Sequence, residues 1–182
     1  DRWVLSHAIA VLAKLKPNTR RRLLVKITPQ SMQDPNLPGW IANLLKQTGV
    51  QGDQLVFGVP ETRVMTYLKG AKDFQRAVAR LGCGLCLEQF GASAHSLDVL
   101  KHLDPSMLKL DRSFTEDLGR NADHQSKVRE LAARAGDLGK STIAEFVQDA
   151  ASMTVLFTSS VNFVQGNFLA AASPEMNYDF NG

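Results

Sequence analysis

Six short aliphatic runs recur along the chain, separated by loops and helical patterns, and this alternation constrains the fold most. They occupy residues 23–28 (LLVKIT), 54–59 (QLVFGV), 83–90 (CGLCLEQF), 106–110 (SMLKL), 141–147 (STIAEFV) and 162–166 (NFVQG). Most are apolar on both faces, as strands covered on both sides must be. Between them lie helical patterns. Residues 1–15 carry apolar side chains at 4, 5, 8, 9, 12 and 15. Residues 40–47 follow Asn36 and Pro38, residues 71–81 stop at Gly82, residues 95–103 follow Ser93, and residues 123–138 stop at Gly139. Strands alternating with helices at this spacing predict βαβ units and a parallel sheet.

Two parallel architectures compete. An open doubly wound sheet would carry a G-x-G-x-x-G turn after a strand, and none occurs. A (β/α)8 barrel takes about 250 residues. Six strands in 182 residues amount to about six of its eight. The fold class is therefore α/β, a (β/α)8-type barrel incomplete on its N-terminal side, with a single domain over residues 1–182. The chain opens directly on a helical pattern, so the expectation is a piece of a longer protein. The barrel also gives meaning to the polar residues Lys26, Glu61, Glu88, Lys109, Glu145 and Gln165, which lie within or just after strand runs. In a parallel barrel those strand ends converge on one face and build the site.

Composition narrows the function classes. The chain is 44% hydrophobic and 21% charged, ordinary for a globular domain, with a net charge of +3. That balance tolerates an anionic ligand but lacks the basic excess of a DNA- or RNA-binding protein. Arg20-Arg21-Arg22 reads as a solvated face. No apolar run reaches the 18 or so residues of a membrane span, so no membrane insertion is expected. Cys83 and Cys86 lie three apart on a strand and so face opposite sides. They read as buried reduced thiols, which suits a cytoplasmic protein. His7, His95, His102 and His124 have no metal-ligand spacing and read as surface or satisfied residues.

The order DRWVL, LLVKITPQSM, GVPET, CLEQFGASAHSLDVLKHLDPSMLKLDRSF, TIAEFVQ, FVQGNFL and SP resembles the EAL domain, a family of cyclic di-GMP phosphodiesterases. The resemblance implies a barrel of the same type, with an active site holding two divalent cations. It also implies which positions have changed. Lys26 stands where the family has an asparagine ligand. Gly58 replaces a ligand glutamate, while Glu61 keeps the second. Glu88 and Gln89 stand for two aspartates. Lys109, Asp111, Glu145, Gln165 and Gly166 remain, whereas Phe146 replaces a glycine and Gln148 a glutamate. Hard divalent cations need oxygen donors, and a lysine among them repels one. The expectation is no metal and no cofactor, with Glu61, Glu88 and Glu145 pairing instead with Lys26 and Lys109.

The same resemblance implies a cyclic di-GMP site at Asp1, Glu145, Phe146, Gln165, Gly166, Ser173, Pro174 and Met176. Glu145 would accept from a guanine edge and Phe146 would give a stacking face. Asp1 would lie near the other guanine, and the segment with Ser173, Pro174 and Met176 would close over a base. Phe146 has a plain-core alternative, and Glu145 a purely structural one. The A-E-F-V-Q and E-Q-F-G runs resemble EAL domains of type IV pilus regulators, which implies a PilZ-type protein partner. The expected function is a catalytically inactive receptor. The alternatives are a divergent metal-dependent phosphodiesterase and a nucleotide-free scaffold.

Overall fold

The computed structural model describes residues 1–15 and 21–173. Six strands form one sheet in the order of the chain: β1 (Leu23–Lys26), β2 (Leu55–Pro60), β3 (Gly84–Phe90), β4 (Met107–Leu110), β5 (Ser141–Ala144) and β6 (Phe163–Val164). Every neighbouring pair is parallel. Helices alternate with the strands, so the chain builds a partial barrel, six strands of the (β/α)8 plan. All six expected strands are present. The fifth is shorter than its apolar run, because the backbone leaves the sheet after Ala144 and Phe146 takes a φ of +65°.

The helices follow the apolar spacing. Helix α1 (Arg2–Ala13) buries Leu5, Ile9 and Leu12 on one face and leaves Trp3 and Val4 exposed. Helix α2 (Pro29–Met32) is one turn capped by the Thr28 hydroxyl. Helix α3 (Leu37–Thr48) buries Leu37, Ile41 and Leu45, and ends at Gly49 in the left-handed conformation. After α4 (Glu61–Val64), helix α5 (Leu68–Arg80) buries Ala71, Phe74 and Val78. The Phe74 ring meets Phe57 of β2 edge-on at 5.4 Å. Helix α7 (Ala122–Asp137) is capped by the Asn121 side chain and buries Val128, Leu131, Ala132 and Ala135.

Besides the one-turn helices α2 and α4, two segments differ from the sequence expectation. The 95–103 segment is helical only over α6 (Ser96–Val99). Its remainder is a series of turns closing i to i+3 contacts, squeezed between the tight Gly91 turn and Pro105. Helix α8 (Ala150–Thr158) was not expected. The Asp149 carboxylate, which accepts from the Ser152 N–H at 2.7 Å, starts it, and only Ser152 and Leu156 of its residues are buried.

Strand residues alternate between two apolar layers. The large core lies between sheet and helices and holds Val25, Leu55, Phe57, Leu85, Leu87, Leu108 and Leu110. On the other face Val56, Cys86, Met107 and Ile143, with Leu24 against them, form a small inner cluster. Cys83 belongs to the first and Cys86 to the second, so the two thiols do face opposite sides.

Candidate functional site

One strand repeat beyond the inner apolar cluster, the same face turns polar. Adding two residues to Leu24, Val56, Cys86, Met107 and Ile143 gives Lys26, Gly58, Glu88, Lys109 and Glu145. The same step on β6 leads from Phe163 to Gln165. The parallel register sets Lys26 level with Gly58, and Pro60 level with Glu88. A hydrophobic floor thus carries a charged layer at the C-terminal strand ends.

Lysines and carboxylates pair across that layer. Lys26 Nζ lies 3.3 Å from Glu88 Oε2, with the Glu88 side chain 6% exposed. The other oxygen, Glu88 Oε1, is buried and has no hydrogen-bond partner among the described residues. It lies over Gly58, where an added Cβ would come within 2.8 Å of it. Lys109 Nζ lies 2.7 Å from Glu145 Oε2 and donates to Gln165 Oε1 at 3.2 Å. The Lys109 side chain is 4% exposed, so this ammonium belongs to the interior of the site.

Glu61 departs from the expected pairing. It begins α4, off the strand period, and is buried. Its Oε1 accepts from the Ser96 hydroxyl at 2.7 Å and its Oε2 from the Gly91 N–H at 3.1 Å. Burial pushes its carboxyl above the ordinary range, against the lowering effect of those two bonds. Glu61 therefore ties the β2 exit to the β3 turn rather than to a lysine. Gln89 sits at φ +57° where the β3–β4 register shifts, and this bulge turns it outward.

Four of the residues singled out in the sequence come together. Glu145, Phe146, Gln165 and Gly166 line one cavity of about 270 Å³ with Arg112, Gln148 and Asn167. Gly166 admits no side chain, since a Cβ there would sit 2.1 Å from the Val147 carbonyl oxygen. Phe146 is half-buried and joins neither apolar cluster, so it is not plain core. The Arg112 guanidinium carbon stands 3.5 Å from its ring centroid. Asp1 lies elsewhere on the rim: its carboxylate accepts the Thr28 N–H at 2.6 Å, just past β1. Ser173 is exposed, while Pro174 and Met176 lie outside the described residues. Arg112 and Asn167 were not anticipated. The signal for Arg112 was its place directly after Lys109-Leu110-Asp111, where a strand end meets the site.

The sequence model of the EAL domain family matches residues 1–172. The chain belongs to the EAL domain family. Among solved structures, the EAL domain of Xanthomonas citri FimX in complex with c-di-GMP is 42% identical, with a TM-score of 0.94 over 99% of this chain and 72% of that one. The EAL domain of Pseudomonas aeruginosa FimX bound to c-di-GMP is 33% identical, with a TM-score of 0.92 over 99% and 72%. The cyclic di-GMP phosphodiesterase PdeF of Escherichia coli is 23% identical over 96% of this chain and 23% of its own length. The EAL domain described here thus spans about a quarter of the length of the curated relatives it matches first. None of its described helices is long and apolar enough to cross a membrane.

Proposed function

We propose that this EAL domain is a cytoplasmic receptor that binds cyclic di-GMP without hydrolysing it. The observation that carries the reading is the lysine–carboxylate pairing in the strand-end layer. Two-metal phosphodiester hydrolysis needs several carboxylate oxygens turned toward two divalent cations. Here Glu88 faces the Lys26 ammonium and Glu145 faces the Lys109 ammonium. Glu61 is held by Ser96 and Gly91. Among the described residues, no three or more Asp, Glu, His or Cys side chains gather closely enough to hold a metal ion. This donor set does not fit a two-metal centre.

The cavity fits a guanine better. Guanine offers N1–H and N2–H₂ donors, and the Glu145 carboxylate is an acceptor with one oxygen beyond its lysine pair. Phe146 supplies an aromatic face outside the core. Gln148, Gln165 and Asn167 add amide donors and acceptors on the same cavity wall. The two FimX EAL domains bound to c-di-GMP support the same ligand. The proposal extends, on the resemblance of the A-E-F-V-Q and E-Q-F-G runs, to a PilZ-type partner and to type IV pilus biogenesis and twitching motility as output.

One experiment tests the core of the proposal. The domain is incubated with cyclic di-GMP and Mn²⁺ while binding heat and the linear dinucleotide are both measured. Binding without product is the expected result. Product formation refutes the receptor reading in favour of a phosphodiesterase, and neither binding nor product refutes it in favour of a protein scaffold.

A further inference from the structure

Cyclic di-GMP carries two negative charges, and a cavity that binds it needs a cation for at least one phosphate. The strand-end lysines are poorly placed to serve. Lys109 is buried against Glu145 and Gln165, and Lys26, though exposed, pairs with Glu88 and does not line this cavity. Among the described residues lining the cavity, Arg112 is the only cation. Its side chain is 54% exposed, and its nearest carboxylate, Glu116, stands 3.8 Å away, too loose and too wet to hold it firmly. What does hold it is the Phe146 ring, 3.5 Å below.

That ring is itself held in an unusual place. Phe146 has a φ of +65°, a conformation that costs a residue with a Cβ and is found where a site over-determines it. The ring is thereby turned toward the guanidinium and away from both apolar clusters. One face of Phe146 is consequently taken by Arg112, on the wall where the receptor reading places a base. A base stacking on that face must displace the guanidinium. A phosphate offers the displaced guanidinium a planar, charge-assisted partner, which outweighs an exposed cation–π contact.

We propose that Arg112 is the phosphate-binding cation of this cavity, exchanging its stack on Phe146 for a ligand phosphate and clearing a ring face for a base. The inference rests on the receptor reading and gives that site a second, coupled contact. Charge capture and base stacking then occur together, so neither a neutral purine nor a bare phosphate would engage the whole device.

The test is calorimetric titration of cyclic di-GMP into the wild-type domain and into Arg112→Ala, Arg112→Gln and Arg112→Lys, across a series of salt concentrations. Thermal melts without nucleotide serve as the folding control. Arg112→Ala and Arg112→Gln are expected to weaken binding about tenfold, which is about 1.4 kcal/mol. Their affinity should also fall less steeply with salt, the log–log slope changing by about one unit for one lost phosphate contact. Arg112→Lys keeps a phosphate-binding charge and should keep the wild-type slope. Equal or tighter binding by Arg112→Ala would overturn the inference, because the guanidinium would then only compete with the base. Weaker binding with an unchanged slope, matched by an equally weak Arg112→Lys, would overturn it in favour of a packing role. In either case wild-type binding leaves the receptor reading standing. A wild-type domain that does not bind at low salt brings down both.

Discussion

Replacing Lys109 by methionine tests the strand-end layer most directly. Methionine keeps an unbranched chain of similar length and removes only the ammonium. In the structure that ammonium sits 2.7 Å from Glu145 Oε2 and 3.2 Å from Gln165 Oε1, on a side chain 4% exposed. Breaking a sealed buried pair costs about 3–5 kcal/mol, because the remaining charge is left uncompensated. Glu145 is not sealed, since 26% of its side chain meets solvent. Water takes back part of the penalty, which brings the expected loss to about 2 kcal/mol. Adding Glu145→Gln removes the orphaned charge, so the double variant should recover about half of that loss. The two changes should therefore show a coupling of about 1 kcal/mol or more in a double-mutant cycle. Urea denaturation at neutral pH gives all four stabilities, provided the m-value is unchanged. A Lys109→Met variant within about 0.5 kcal/mol of wild type, or strict additivity of the two changes, would refute the claim that this pair is held inside the site.

Other perturbations reach the rest of the site. Phe146→Gly should relax the positive φ, leaving stability equal or raised by up to about 1 kcal/mol, while cyclic di-GMP affinity falls about tenfold; a thermal melt and a titration read the two effects, and an unchanged affinity would remove the ring from the binding surface. Glu61 has its folded-state carboxyl pushed above its ordinary value of 4.5 by burial. Its stabilising share is complete below that value and is lost as pH rises through the raised folded-state value. Glu61→Gln should flatten the stability profile in that interval, at a cost of about 1 kcal/mol where the Gly91 N–H loses its carboxylate acceptor; a profile as steep as wild type would contradict this. Burial pushes the thiols of Cys83 and Cys86 up to about 11 and about 12. Neither should react with a thiol reagent at neutral pH until the domain unfolds, and rapid labelling of the native protein at Cys83 or Cys86 would show that the large core or the inner cluster, respectively, opens.

Much of the fold was legible because strands buried on both faces write themselves as continuous apolar runs. Leu55–Pro60 is the clearest case, buried along almost its whole length. Helix α8 was hidden for the opposite reason. Its Ala, Ser, Met, Thr and Val residues have no clean period, and a single cap at Asp149 was the one local sign of it. The 95–103 segment has helical composition, but the tight turn at Gly91 and the stop before Pro105 leave room for one helical turn. At the site, Glu145 and Gln165 were legible because two adjacent strand ends carry them, whereas Phe146 and Gly166 were implied by the resemblance to the EAL pattern. Arg112 was not, because the turn after β4 swings it across to the Phe146 ring, a contact that no spacing along the chain encodes. Glu61 was misassigned to a lysine for a related reason: its position off the strand period follows from where α4 begins.

The positions that the resemblance marks as changed, Lys26, Gly58 and Glu88, also fit one another in space. Gly58 and Glu88 are neighbours across β2 and β3, and the space above the glycine is where Glu88 Oε1 lies. The Glu88 carboxylate on one strand is thus accommodated by the absence of a side chain at Gly58 on the next. Lys26, level with Gly58 on the other side, then reaches over that gap to Glu88. A side chain at 58 would force the Glu88 carboxylate to shift, and Glu88 without Lys26 would be a buried carboxylate that loses its cation. A change at Gly58 or Lys26 is therefore felt at Glu88. The strand-end layer is thus consistent with itself as an ion-paired surface.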